Sequence, residues 1–460
     1  MNRQEKLTLL KNATANVVRG GAAALVALAL PPFLVRLLSQ DAFGVWSLVL
    51  QLSMFVGYLD FGIQTAVGRF VAHANAKGDS EYRDRITSTA FAALTAAGTL
   101  AIVGTIGIAA LLPHIFKQMP GALIGDARVA LLLVAGSLAS GLPASVFNGI
   151  FVGIQRYELP AMVIGSSRLV SAFTVILVLR AGGGLVSMAS AVALCNLASY
   201  LIQYLLYRRI VPEARTSIRL ASTSAGRELF HYCFSLSIWA LGMLLVTGLD
   251  LTLVGYFQFS AVAYYAVAAS LVTFIGGLQN AVFNVMIPST AVLQARGASQ
   301  ELGRVMVTAT RYGTFLLLFT GLPLIISARY ILNFWVGPVY SLHGARILQV
   351  LVAANIIRLS ATPYAMTLIG TAQQRFATVT VIAEGVANLL ASIIAGYLFG
   401  AIGVAFGTFI GSLVGIGGNF FYNMRRVTAI DFRISDYIRD GLLRPTACTM
   451  PLIVFAGMIT

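Results

Sequence analysis

The chain is poor in acid. Of its 460 residues, 16 are Asp or Glu against 31 Lys or Arg, and charged residues of both signs make up only 10%. Cysteine is scarcer still. Cys195, Cys233 and Cys448 stand far apart, which suggests neither a disulfide framework nor a metal site. The four histidines, His73, His114, His231 and His343, are isolated and lack metal-ligand spacing. There is no glycine-rich phosphate loop of the nucleotide-binding type, so the chain carries no ATP motor of its own. A soluble enzyme is excluded on these grounds, and no cofactor is expected.

Apolar sequence is what the chain has in abundance. Hydrophobic residues make up 58%, and mean hydropathy is +0.85. A bilayer-spanning helix needs ~20 mostly apolar residues. Windows of that size fall near 17–38, 43–72, 88–113, 128–152, 161–180 and 184–207, then near 231–256, 261–290, 305–328, 346–371, 376–398 and 401–424. A thirteenth begins near 445 and reads as the start of an extra helix. The polar stretch 1–16 precedes the first window without a cleavage-site pattern, so helix one reads as retained. With the N-terminus in the cytoplasm, twenty Lys and Arg fall in inside segments and five outside, the bias of a multi-pass protein in that orientation. The net charge of +15 is therefore mostly topology and not nucleic-acid binding. The outside loops are short, and the longest, near 113–128, has no room for an enzymatic domain.

The second half repeats the first. Pro143 followed by Gly153-Ile154-Gln155-Arg156-Tyr157 is echoed by Pro363 followed by Ala372-Gln373-Gln374-Arg375-Phe376. The prolines are 220 apart and Arg156 and Arg375 are 219 apart, while Arg208-Arg209 recurs as Arg425-Arg426 at 217. Lys77-Gly78-Asp79 is answered by Arg296-Gly297. The expected fold is all-α and polytopic: a six-helix bundle over 1–207, a basic cytoplasmic linker over 208–230, a second six-helix bundle over 231–424, and a basic segment with the extra helix over 425–460. Six crossings per repeat keep both copies in one orientation, which implies a pseudo-two-fold along the membrane normal. In the last segment Ile434, Tyr437 and Ile438 fall on one helical face and are expected on the membrane surface.

Ionisable residues inside spans are costly and mark function. Six basic residues fall there: Arg19, Arg36, Arg69, Arg168, Arg311 and Arg358. Arg69 and Arg168 lie near a border and can snorkel. Arg358 is near mid-span and cannot. Arg358, Arg311, Arg36 and Arg19 are the candidates to hold an anionic substrate group. Three acids share the spans. Asp60 is the first candidate to sense a coupling proton or Na⁺, then Glu384, then Asp250. Asp60 sits between Gly57 and Gly62, and its repeat counterpart at offset 220 is the neutral Asn280. Glu384 on the helix following that of Arg358 allows a second reading, a structural ion pair. Pro32, Gly57, Gly62, Pro143 and Pro363 are the expected kink positions.

Leu30-Pro31-Pro32-Phe33-Leu34-Val35-Arg36-Leu37-Leu38, Phe43-Gly44-Val45-Trp46, Leu59-Asp60-Phe61-Gly62-Ile63, Ala76-Lys77-Gly78-Asp79 and the stretch 149–156 resemble the polysaccharide-transporter branch of the multidrug/oligosaccharidyl-lipid/polysaccharide (MOP) exporter superfamily. The patterns are loose and densest in the first 160 residues. The resemblance implies a two-bundle fold like that of the MATE exporters. It also implies a flippase for O-antigen or exopolysaccharide repeat units on undecaprenyl diphosphate in a bacterial inner membrane, beside a polymerase and a chain-length regulator. A peptidoglycan lipid flippase and a cation-coupled drug exporter share the shape. A drug exporter would favour acid over Arg in its cavity. A membrane glycan polymerase or ligase would carry a large outer loop, which is absent here.

Overall fold

A computed structural model describes residues 24–459 apart from Ala429, and the described residues form helices and loops with no strand. Nine of their helices are long and apolar enough to cross a membrane, or up to ten if the bent pair Thr223–Phe234 and Leu236–Gly248 is one span. One of the nine, Phe376–Asn423, contains two expected spans, because Gly400 (φ 62°, ψ −138°) breaks it.

The chain packs as two units: Leu37–Leu241 in one, and Ala27–Arg36 with the chain from Gly242 onward in the other. The helix α1 (Ala24–Leu37) therefore does not stay wholly with the first six-helix bundle expected from chain order. The division near 241 also falls inside an expected span, 231–256, and not in the basic linker.

In the first unit α2 (Gln40–Tyr58) and α3 (Ile63–Lys77) form one broken span. Phe61 (φ 50°) and Gly62 (φ 76°) carry the break. A side chain on Gly62 would meet Leu236 at 2.8 Å, so the turn needs glycine for both conformation and space. After α4 (Ser80–Ile115), α5 (Gly121–Gly141) and α6 (Ser145–Gly153) form a second broken span. Its break holds Pro143, which has no N–H to continue the ladder. Then come α7 (Glu158–Arg180), α8 (Leu185–Ile210) and the start of α9 (Thr223–Met243). The connection before α9 is strapped to α4. Ser88 Oγ accepts from the Ser217 amide at 3.0 Å, and Thr89 Oγ1 from the Ser222 amide at 3.0 Å.

The second unit repeats the pattern. A π-helical turn, Leu244–Gly248, leads to α10 (Asp250–Phe257). The broken span of α11 (Val262–Phe283) and α12 (Met286–Ala295) is followed by α13 (Ser299–Ile326) and a short α14 (Ala328–Val336). A second broken span, α15 (Pro338–Leu359) and α16 (Thr362–Gly370), has Pro363 in the first turn of α16. There follow α17 (Gln374–Gly418) and, after a π-helical segment Tyr437–Leu443, α18 (Arg444–Ile459). Tyr437 is fully buried against Tyr364, Phe420 and Phe432, so this residue of the face expected on the membrane surface packs into the unit instead, while Ile434 and Ile438 are half-buried.

All four broken spans close alike. Gly78, Gln155, Gly297 and Ala372 have φ of 68°, 63°, 69° and 54°. Each is followed by a six-residue backbone closure of the Schellman type, such as Arg156 N to Phe151 O at 2.8 Å and Gln373 N to Leu368 O at 2.8 Å. The crossings match too. A Cβ on Gly153 would lie 2.7 Å from Val71 and 2.9 Å from the Gly68 carbonyl. One on Gly370 would overlap Thr290 and lie 2.6 Å from the Ile287 carbonyl.

These equivalences set the repeat register at 219 for the first closure and 217 for the second. They correct two sequence pairings. Arg156 answers Gln373 and not Arg375. Asp60 answers the buried Gln279 and not the exposed Asn280.

Candidate functional site

Glycine at every fourth residue builds the core of the site. The second leg of α17 carries Gly403, Gly407, Gly411 and Gly415, and the chain reverses at Gly400, so the two legs run antiparallel. A Cβ at Gly411 would sit 2.7 Å from that of Asn388, one at Gly407 would overlap Ser392, and one at Gly415 would overlap the Glu384 carboxylate. Small residues at this spacing let helices touch backbone to backbone in lipid. The first leg answers with a polar column, Thr380, Glu384, Asn388 and Ser392, all buried.

The column is joined to the break before α10. Asn388 Nδ2 donates to the Val246 carbonyl at 2.7 Å, inside the π-helical turn, and Ser392 Oγ donates to Asn388 Oδ1 at 2.9 Å. Asp250 opens α10 and accepts from Thr408 Oγ1 at 3.0 Å. Asn388 and Tyr265 lie near the same carboxylate, and among the described residues the Tyr265 hydroxyl has no hydrogen-bond partner. Glu384, 9% exposed, lies one helical turn before Asn388, and among the described residues its Oε1 has no hydrogen-bond partner.

Arg358 ends α15, where its charge faces the carbonyl end of a half-helix. Its Nη2 donates to Asn355 Oδ1. It acts electrostatically on both Asp250 and Glu384. Yet among the described residues no ion pair within 4 Å includes it. The structural Arg358–Glu384 pair is therefore not made. Arg358, Asp250 and the polar column that includes Glu384 lie in one unit, the cation unpaired among the described residues.

The other candidates lie elsewhere. Arg311 Nε donates to the Asp440 carbonyl at 3.0 Å and so anchors the segment Tyr437–Leu443. Arg36 is exposed, and Arg19 lies outside the described residues. Asp60, in the first unit, accepts from Ser145 Oγ at 3.0 Å and from the Gln64 amide at 3.4 Å. It ties the break of one span to the start of α6. Pro32 lies within α1, and nothing lies within 4 Å of where a Gly57 side chain would be. Asn355, Tyr265 and Thr408 escaped sequence reasoning. Asn355, three residues before Arg358 on one helix, was the legible one. A cavity of about 420 Å³ lies apart from all of these, in the first unit beside Arg83, Asp79 and Glu213.

The family model for polysaccharide biosynthesis proteins matches residues 9–294. The chain belongs to that family. A relative, the uncharacterized membrane protein EpsK of Bacillus subtilis (strain 168), is 21% identical over 317 residues, which cover 67% of this chain. The match spans 62% of EpsK, less than two thirds of its length. Among solved structures, the lipid II flippase MurJ in an inward closed conformation has a TM-score of 0.74 at 12% identity, covering 96% of both chains. A multidrug resistance MATE family transporter of the MOP superfamily, inward-facing, has a TM-score of 0.69 at 16% identity, covering 87% of this chain and 98% of that one. A MOP superfamily transporter from Pyrococcus furiosus Vc1 (DSM3638) has a TM-score of 0.65 at 15% identity, covering 91% of this chain and 95% of that one. The fold is thus MATE-like, and the polysaccharide biosynthesis family member described here is a multi-pass membrane protein.

Proposed function

We propose that the chain flips undecaprenyl-diphosphate-linked oligosaccharide repeat units across a bacterial inner membrane for O-antigen or exopolysaccharide assembly, driven by a proton or Na⁺ gradient. The observation that carries this reading is Arg358. It is a guanidinium within a span, turned toward an amide and left without a carboxylate partner within 4 Å among the described residues. A diphosphate cannot cross hydrocarbon unaided, and the planar donors of Arg match phosphate oxygens.

The coupling ion is assigned to Asp250, with Glu384 beside it. Asp250 has around it two of the oxygens that a small cation uses, its own carboxylate and the Thr408 hydroxyl. Asp60 is the second choice, because its carboxylate is already engaged at the start of α3 and α6. The N-terminus is placed in the cytoplasm by the Lys and Arg bias. The two units are read as repeats of one pattern, supported by the shared closures at Gln155 and Ala372. A polymerase and a chain-length regulator are the partners that such a product requires.

The test is reconstitution into vesicles with labelled polyprenyl-diphosphate oligosaccharide, scoring transbilayer movement under an imposed proton or Na⁺ gradient. Parallel vesicles hold lipid II or an organic cation. Gradient-driven movement of the oligosaccharide lipid alone supports the reading. Movement of lipid II or of the cation alone replaces it with the peptidoglycan flippase or drug exporter of the same fold.

A further inference from the structure

The short helix α14 (Ala328–Val336) has three faces where a helix over water needs two. At about 100° per residue, positions four apart share a face. Ala328, Leu332 and Val336 are buried together. Directly opposite stand Tyr330 and Phe334, 73% and 91% exposed. The polar residues Arg329 and Asn333 are also exposed, but they occupy a strip between those two faces. A helix packed on protein and bathed in water places its polar residues opposite the buried face. Here the largest apolar side chains take that place.

The orientation is fixed. Ser341 Oγ donates to the Arg329 carbonyl at 2.8 Å, and Gly337 closes the C-terminus by donating to the Leu332 carbonyl at 3.1 Å. Trp335 Nε1 donates to the Leu28 carbonyl of α1 at 3.1 Å. Leu28 is four residues before Pro32, and proline has no N–H to return to that carbonyl. Trp335 supplies the missing donor, which holds the roll of α14. The spans on either side end at Ile326 and begin at Pro338, so α14 cannot leave the boundary between hydrocarbon and water.

We infer that α14 is an interfacial helix whose Tyr330 and Phe334 face is seated in the bilayer boundary, with Arg329 and Asn333 toward the headgroups and water. The chemistry of each strip names its neighbour. Aromatic side chains favour the headgroup level, and α14 carries Arg but no acid to repel anionic lipid.

The experiment places single spin labels at Arg329, Tyr330, Asn333 and Phe334, each as a cysteine variant with Cys195, Cys233 and Cys448 replaced by alanine. Accessibility to oxygen and to a water-soluble nickel chelate is read in phosphatidylethanolamine–phosphatidylglycerol vesicles. The oxygen-to-chelate ratio at 330 and 334 should exceed that at 329 and 333 several-fold. Equal ratios at all four positions, or labels at 330 and 334 closed to both probes as under a protein partner, overturn the inference. Should the cysteine-free background fail to fold, Phe334→Trp in the wild-type chain gives the same answer. Bromine-labelled lipid should quench its added fluorescence, and fluorescence that only a water-soluble quencher reduces overturns the seating.

Discussion

Asn388 donates its side-chain amide to the backbone carbonyl of Val246 at 2.7 Å, in the π-helical turn that precedes Asp250. A π-helical turn leaves a carbonyl without its regular helical donor, and in a span no water replaces it. One amide therefore repairs the break and, through its N–H group, adjoins the acid that opens the next helix. Asn388→Leu should cost about 1–3 kcal/mol, because a buried acceptor loses its donor. The check is the thermal midpoint of the purified protein in detergent. Asn388→Gln should lower it as well, since the longer amide misplaces the donor.

Asp250→Asn keeps the shape and can still accept from Thr408. It should leave abundance and fold unchanged and abolish the response to an imposed gradient. Asp60→Asn should retain that response, and Asp60→Ala should lower stability by about 1 kcal/mol, as the loss of a helix cap does. Vesicle uptake with and without a gradient compares all three. Loss of gradient response in Asp60→Asn with retention in Asp250→Asn would move the coupling site to the first unit.

The glycine column makes a steric prediction. Gly407→Val and Gly411→Val should each separate the legs of α17 and lower the thermal midpoint, with overpacking costing about 1–3 kcal/mol. Gly417→Ala is the control, because nothing lies within 4 Å of the added Cβ. Equal midpoints for Gly411→Val and Gly417→Ala would show that the legs do not depend on close approach.

Arg311→Ala should loosen the C-terminal segment, not substrate binding. Its Nε holds the Asp440 carbonyl, next to the buried Tyr437. Limited proteolysis after Arg433 or Arg439 should accelerate in this variant while flipping is retained.

Most of the spans and the duplication were legible because hydrophobic length and repeated landmarks survive in any single sequence, but their number was not: Phe376–Asn423 joins two expected spans in one broken helix. The register was not. Gln155 and Ala372 adopt the left-handed conformation without being glycine, so nothing in the letters marks them as equivalent, and Arg156 drew a false partner two residues away. Arg358, Asp250 and Glu384 stood out as charges in apolar surroundings. Their separation did not, because an ion pair and an unpaired set have the same composition. The four-residue glycine period from Gly403 to Gly415 was present in the sequence and would have foretold the close crossing. The bond from Trp335 to Leu28 joins residues 307 apart, beyond any local pattern.

The most direct measurement is transbilayer movement of a polyprenyl-diphosphate oligosaccharide by Arg358→Ala and Arg358→Lys, each beside its membrane abundance and thermal midpoint. Arg358 forms no ion pair within 4 Å among the described residues, so its removal strands no paired carboxylate and avoids the ~3–5 kcal/mol of a broken buried pair. The account predicts that Arg358→Ala folds and is inserted normally but does not move the lipid. Arg358→Lys should recover part of the activity, since it keeps the charge and loses the bidentate fork. Full movement by Arg358→Ala, or an unfolded protein in both variants, would contradict it.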